Sequence, residues 1–221
     1  MIVSASNERL KLVRKLHDKS WRDKLGLFFV EGEDAVDAAS AEPVDLLRAG
    51  EDVEPKLLAG VATTPHPPRV VGVYRRSDLP RWEERDATLA LWRLADPGNL
   101  GALIRTADAF GAAVALSDGC ADPTSPKALR ASAGSIWRVP LGSWDDVGGT
   151  RVALVAHGGE PLGSVDLSGR VTFLLGAERD GLPAEVGRDS DAWIPIAGAE
   201  SLNVAVCGAI ALYERRRQAG G

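Results

Sequence analysis

The chain is poor in the residues that build metal and disulfide frameworks. It has two cysteines, three histidines and one methionine in 221 residues, and aromatic residues make up only 5%. Cys120 and Cys207 lie far apart in apolar surroundings, with no His/Cys cluster near either. Neither a zinc site nor a disulfide scaffold is therefore expected, and a reducing cytoplasm is the default compartment. No run of eighteen apolar residues occurs, so no membrane-spanning helix is expected. The opening MIVSASNERLKLVRKL has no apolar stretch followed by a small-residue cleavage site, so a secretory signal is not expected either. There is no GxxxxGK[ST] and no GxGxxG, which argues against a nucleoside triphosphatase or a dinucleotide enzyme.

An excess of positive charge is also missing. The formal net charge is −5, which counts against a broadly basic nucleic-acid binder. Its distribution is uneven. Residues 1–30 carry seven basic side chains (Arg9, Lys11, Arg14, Lys15, Lys19, Arg22 and Lys24) against three acidic ones, whereas 31–54 is acidic. A local basic face can meet phosphate on an acidic protein. It can equally be a solvated helix face.

What is present is a core-forming composition, 45% apolar, in a length that suits one large domain or a small one plus a medium one. Leu10, Val13, Leu16 and Trp21 predict a helix over 6–21, with Arg and Lys opposite. Short strands are expected at 27–30, 44–47 and 69–73, a helix around 33–40, and a loop at 63–68. Residues 1–80 therefore read as a small α/β unit. The charged stretch 77–88, with Pro80, suits a linker or a connecting helix.

From residue 89 the pattern changes. Continuous apolar runs at 89–92, 113–116, 152–156 and 171–175 predict strands covered on both faces. A helix is expected at 99–110, and strands alternating with helices imply a parallel sheet. Chemistry in such a sheet sits beyond the carboxyl ends of the strands. The loops after Leu94, Leu175 and Ile196 are therefore the places to search.

In the first loop, Asn99 suits a helix N-cap, and Gly98 and Gly101 permit close backbone approach. Arg105 lies six residues on, free to make an ion pair with Asp108 or to serve a site. In the second, Gly176 leaves room for a flat ligand and Glu178 stands at a strand end to accept hydrogen bonds. In the third, Ser201 or Asn203 can cap a small-residue helix (Val204, Ala205, Val206, Gly208, Ala209) that ends in Arg215–Arg217. Singly, each loop is also explained by an ordinary cap or turn.

Together and in this order they resemble the three signature motifs of the SpoU (TrmH-like) branch of the SPOUT RNA methyltransferases. Asn99-x-Gly-x-x-x-Arg105 is similar to the first motif, and Leu175-Gly176-x-Glu178-x-x-Gly181-Leu182 to the second. Ile194-Pro195-Ile196 through Ser201-Leu202-Asn203 is similar to the third. Ala131–Ser135 before Ile136–Pro140 also resembles a family segment. More loosely, Arg22-Asp23-Lys24 before Leu27–Gly32 is similar to the family's small ribosomal-protein-like RNA-binding domain.

The resemblance implies an α/β fold with a parallel-sheet SPOUT domain over 89–221 and a deep C-terminal trefoil knot. A linker at 81–88 would join it to a small α/β RNA-binding domain over 1–80. It implies S-adenosylmethionine as cofactor, lined by Leu175, Gly176, Ile194, Ile196 and Leu202, and no metal. It implies a homodimer formed through the last helix. The reaction would methylate a ribose 2′-hydroxyl in RNA, with large-subunit ribosomal RNA the first expectation and transfer RNA the second. Catalytic roles would fall to Arg105, Asn99, Glu178, Ser201 and Asn203. A guanidinium stays protonated, so Arg105 is expected to hold phosphate and stabilise developing alkoxide charge rather than act as a base. Arg9, Lys11, Arg14, Lys15, Arg22 and Lys24 would dock RNA. A base-nitrogen acceptor and a non-catalytic knotted RNA-binding protein are the alternatives.

Overall fold

The computed structural model describes residues 1–64 and 66–220. Its elements form two sheets. The first is antiparallel, in the order β1-β3-β2, from β1 (Leu27–Glu31), β2 (Asp45–Arg48) and β3 (Val70–Arg75). Alternation along these strands sends side chains to opposite faces. Phe29, Leu47, Val71 and Val73 pack with Leu10, Val13 and Leu16 of the N-terminal segment and with Leu58 of α4 (Pro55–Ala59). Phe28, Val30 and Tyr74 face the other way, into the core shared with the second sheet. There Tyr74 meets Trp137 edge-on with ring centroids 4.9 Å apart. Gly72 is glycine because a Cβ would run into the Tyr74 ring.

The helix expected at 6–21 is two helices, α1 (Glu8–Lys15) and α2 (Lys19–Leu25). The break has a local cause: Asp18 adopts extended backbone and its side chain accepts the Ser20 N–H at 2.8 Å, capping a new helix. Glycine at 26, in the left-handed region, ends α2. The helix expected around 33–40 is shorter, α3 (Glu33–Asp37). Of the loop expected at 63–68, residue 65 lies outside the described residues. No linker helix forms at 77–88. A single 3-10 turn at Arg76–Asp78 gives way to irregular backbone until β4.

The second sheet has seven parallel strands in the order β6-β5-β4-β9-β7-β10-β8. They are β4 (Ala87–Leu91), β5 (Ala113–Leu116), β6 (Leu141–Ser143), β7 (Thr150–Leu154), β8 (Glu160–Pro161), β9 (Val171–Leu175) and β10 (Ser190–Trp193). The four continuous apolar runs are its four central strands, β5, β4, β9 and β7. β4 and β9 are buried along their whole length. The outer strands β6, β10 and β8 have no such run, and sequence pattern did not find them. Helices α5 (Pro97–Phe110), α6 (Pro126–Ser132) and α7 (Val204–Gln218) complete the fold. Gly101 of α5 lets α6 approach, since a Cβ there would overlap the Ala128 carbonyl oxygen. Gly208 of α7 takes the Leu103 side chain of α5 in the same way.

Ionic contacts tie the two sheets together. Arg22, expected on an RNA-facing surface, is instead buried at 3% exposure. Its guanidinium donates to Asp122 Oδ2 and to the carbonyls of Leu16 and His17, each at 2.8 Å. Arg76 donates to the same Asp122 oxygen at 2.8 Å. Burial pushes the Asp122 carboxyl up, but hydrogen bonds from Thr124 and Arg22 and the Arg76 charge outweigh it and leave it below its usual range.

Candidate active site

β9, β7 and β10 end their carboxyl edges around one cleft of about 570 Å³. Leu175 and Gly176 line it from the end of β9, Ile194 and Ile196 from beyond β10, and Leu202 from the approach to α7. Glu178, Ser201 and Asn203 line it too. The cleft also takes in Leu154, Val155 and Ala156 at the end of β7, with Arg179, Glu200 and Cys207, none of which sequence reasoning singled out. The run at 152–156 had been read as a strand, and the carboxyl-end rule applied to it would have pointed there.

Gly176 is forced by the loop that follows it. Ala177 and Gly181 exchange backbone hydrogen bonds at 3.0 and 3.1 Å, closing a tight turn. A Cβ on residue 176 would overlap the backbone of Gly181 and Leu182. The turn also presents Glu178 outward, at the mouth of the cleft.

Three of the expected site residues form one hydrogen-bonded chain. The Ala205 N–H donates to Asn203 Oδ1 at 2.9 Å, capping α7. Asn203 Nδ2 donates to Asn99 Oδ1 at 3.0 Å, and Asn99 Nδ2 donates to Glu178 Oε1 at 3.1 Å. A backbone N–H only donates, so each amide's orientation follows from the one before it. The second carboxylate oxygen, Glu178 Oε2, makes no hydrogen bond among the described residues. Ser201 is exposed in the cleft wall.

Asn99 is not the cap of α5, as its position had suggested. Asp96 is: its Oδ1 accepts the Asn99 N–H at 2.9 Å, and Pro97 follows at the first helical position. The Asp-Pro pair is the sequence signal for this. Lys127, donating to Asp96 Oδ2 at 2.7 Å, and then the Asn99 N–H hold the Asp96 carboxyl below its usual range. With its backbone fixed by that cap, the Asn99 side chain is free to bridge Glu178 and Asn203.

Arg105 lies apart from the cleft lining, exposed on α5. The ion pair with Asp108 does not form. Asp108 accepts from Arg138 at 2.6 Å and from Ser135 at 2.8 Å instead. Among the described residues Arg105 makes no salt bridge or side-chain hydrogen bond. Burial pushes the Cys207 thiol up, and its Sγ donates to the Leu202 carbonyl at 3.8 Å.

Part of the basic N-terminal face is engaged within the fold. Arg9 pairs with Asp45 and also donates to the Leu46 carbonyl. Lys11 pairs with Glu8, and Arg14 donates to the Ala5 carbonyl. Lys15 and Lys24 are exposed, one on each side of Trp21 in sequence. Among the described residues no group of three or more His, Cys, Asp or Glu is placed to hold a metal ion, and no helix is long and apolar enough to cross a membrane.

The chain is similar to known proteins along nearly its whole length. A relative from Bacillus subtilis (strain 168), the 23S rRNA (guanosine(2553)-2′-O)-methyltransferase RlmP, is 34% identical over 97% of this chain and 98% of its own. The AdoMet-bound rRNA methyltransferase from Sinorhizobium meliloti superposes with a TM-score of 0.86 at 31% identity, covering 98% of this chain and 97% of that one. The SpoU methyltransferase AviRb from Streptomyces viridochromogenes, in complex with AdoMet, gives 0.83 at 26% identity, covering 97% and 99%. The model of the SpoU rRNA Methylase family matches residues 86–213. The chain belongs to the SpoU rRNA methylase family.

Proposed function

We propose that this protein transfers a methyl group from S-adenosylmethionine to a ribose 2′-hydroxyl of RNA, in large-subunit ribosomal RNA. The observation that carries the reading is the Asn203–Asn99–Glu178 chain at the mouth of a cleft floored by Leu175, Gly176, Ile194, Ile196 and Leu202. The relatives named above, and their cofactor, support the same assignment.

The cleft fits the cofactor. Its volume falls within the roughly 300–1,000 Å³ of small-molecule sites, and a lining that sets apolar Leu175, Ile194, Ile196 and Leu202 beside polar Glu178, Ser201 and Asn203 suits an adenosine that carries a charged amino-acid group. S-adenosylmethionine, when bound, supplies an electrophilic methyl group. The chain's own work is to orient the hydroxyl and ease its proton away. Glu178 Oε2 is available to accept the hydroxyl hydrogen bond while Asn99 fixes the other carboxylate oxygen. Arg105 stands six residues from Asn99, about 9 Å along the axis of α5. Its role is therefore to hold a phosphate beside the target nucleotide and to offset the negative charge developing on the ribose oxygen. Ser201 and Asn203 hold the ribose and the cofactor loop.

In this reading residues 1–80 dock the RNA, 81–88 link, and 89–221 form the methyltransferase domain, with the segment beyond β9 threaded as a trefoil knot. The protein acts in the cytoplasm as a homodimer formed through α7. Support for the dimer is the exposure of Val206 (45%) and Tyr213 (60%), two turns apart on one face of that helix. The test is methylation of unmodified 23S ribosomal RNA with labelled S-adenosylmethionine, followed by mapping. A 2′-O-methyl mark at a single nucleotide is expected. Label on a base nitrogen, or no cofactor binding by calorimetry, would overturn the reading.

A further inference from the structure

We propose that Trp21, with Lys15 and Lys24, is a stacking platform for one unpaired nucleobase of the RNA. The inference rests on the RNA-docking reading and relocates where docking occurs. Of the six basic residues expected to face RNA, Arg22 is buried, Arg9 and Arg14 are held by partners within the fold, and Lys11 makes an exposed ion pair with Glu8. The two that remain converge on one aromatic ring. Lys15 Nζ lies 4.8 Å from the Trp21 ring centroid and Lys24 Nζ 5.0 Å from it. The break between α1 and α2 produces this arrangement. Asp18 starts a new helix, so Trp21 and Lys24 share a face of α2 as an i, i+3 pair, while Lys15 reaches over from the end of α1.

An indole with two exposed ammonium groups over its ring suits single-stranded RNA. The ring offers a π-face to any base, and the lysines offer charge to the phosphates on either side of it. Stacking of a base on an aromatic ring is worth more than an exposed cation–π contact, so a base displaces a lysine from the ring. The freed ammonium then meets the flanking phosphate. The surrounding charges do not oppose this. Of the nearby carboxylates, Asp23 is engaged by Lys19 and Arg76, and Asp18 by the Ser20 N–H.

The two kinds of contact separate in a salt titration. Fluorescein-labelled single-stranded U12 RNA and a fully paired duplex of the same length are the probes, read by anisotropy with the full-length chain. The parent is expected to prefer the single strand. Trp21→Ala should weaken single-strand binding about tenfold with an unchanged salt slope, and Trp21→Phe should restore most of it. Lys15→Gln with Lys24→Gln should instead lower the salt slope by about 1 per lysine. In methylation of unmodified 23S RNA, Trp21→Ala should raise KM and leave kcat within about twofold. Unchanged single-strand affinity in a folded Trp21→Ala variant overturns the platform while leaving the methyltransferase reading standing. A parent that binds neither probe overturns RNA docking here altogether.

Discussion

Asn99 and Glu178, 79 residues apart in sequence, are joined by a 3.1 Å hydrogen bond from the amide to the carboxylate. The bond leaves Glu178 with one occupied and one unoccupied oxygen. It also links Glu178, through Asn203, to the first turn of α7. Removing Asn99 therefore frees both Glu178 and the α7 entrance. Asn99→Ala should leave stability within about 1 kcal/mol, since these groups are partly solvated. Turnover should fall about 100-fold through misplacement of the carboxylate. Asn99→Asp should be at least as damaging, because it sets two carboxylates against each other. Single-turnover kinetics at saturating cofactor checks both. Rates within threefold of the parent would show that the chain is not part of the chemistry.

The elements that were legible in sequence were those whose pattern needed no partner. Continuous burial identified the central strands, because a strand covered on both faces must be apolar at every position. The outer strands β6, β10 and β8 are only two to four residues long and are not continuously buried, so no period marks them. The candidate site was legible as a set of residues on three loops: all but Asn99 and Arg105 line the cleft, and Asn99 joins it through Glu178 and Asn203. Its connections were not. Nothing local says that Asn99 bridges Glu178 and Asn203 rather than capping α5. Arg22 misled for a related reason. On a helical wheel it looks like its exposed neighbours, and only Asp122, 100 residues away, explains its burial.

Gly176 makes a sharp steric prediction. A methyl group there has only the Gly181–Leu182 backbone to push against, and no flexible side chain can yield to it. Gly176→Ala should open the 177–181 turn, cost about 1–3 kcal/mol, and weaken S-adenosylmethionine binding by more than tenfold. Isothermal calorimetry and thermal melting check the two effects. Parent-like affinity would mean that the turn does not shape the cofactor pocket.

Arg22 and Asp122 couple stability to pH. Asp122 has a lowered native pKa, so its contribution is present above the unfolded aspartate value of about 4. It is lost as pH falls through the lower native value. Arg22→Ala leaves a buried carboxylate short of a partner and should cost about 3–5 kcal/mol at pH 7. Asp122→Asn should be destabilised at pH 7 and should lose less than the parent between pH 5 and pH 3. Urea midpoints across that range decide it. Parallel pH profiles for parent and Asp122→Asn would remove Asp122 from the account.

Arg105 is the severest test of the proposed chemistry, because nothing inside the fold explains it. It is exposed, and the carboxylate one turn along α5 is already taken by Arg138 and Ser135. A surface arginine without partners contributes little to stability, so Arg105→Ala should melt as the parent does, within about 0.5 kcal/mol. If it holds phosphate and offsets charge on the ribose oxygen, its loss should lower kcat about 100-fold or more at saturating RNA, with cofactor affinity unchanged. Arg105→Lys keeps the charge but not the planar fork, so it should recover only part of the rate. A role as proton acceptor makes a different forecast. The guanidinium would then have to lose its proton, and the rate of the parent would climb steeply with pH in a way that Arg105→Lys shifts to lower pH. Turnover of Arg105→Ala near that of the parent would reject both roles and return the chemistry to the Asn203–Asn99–Glu178 chain alone.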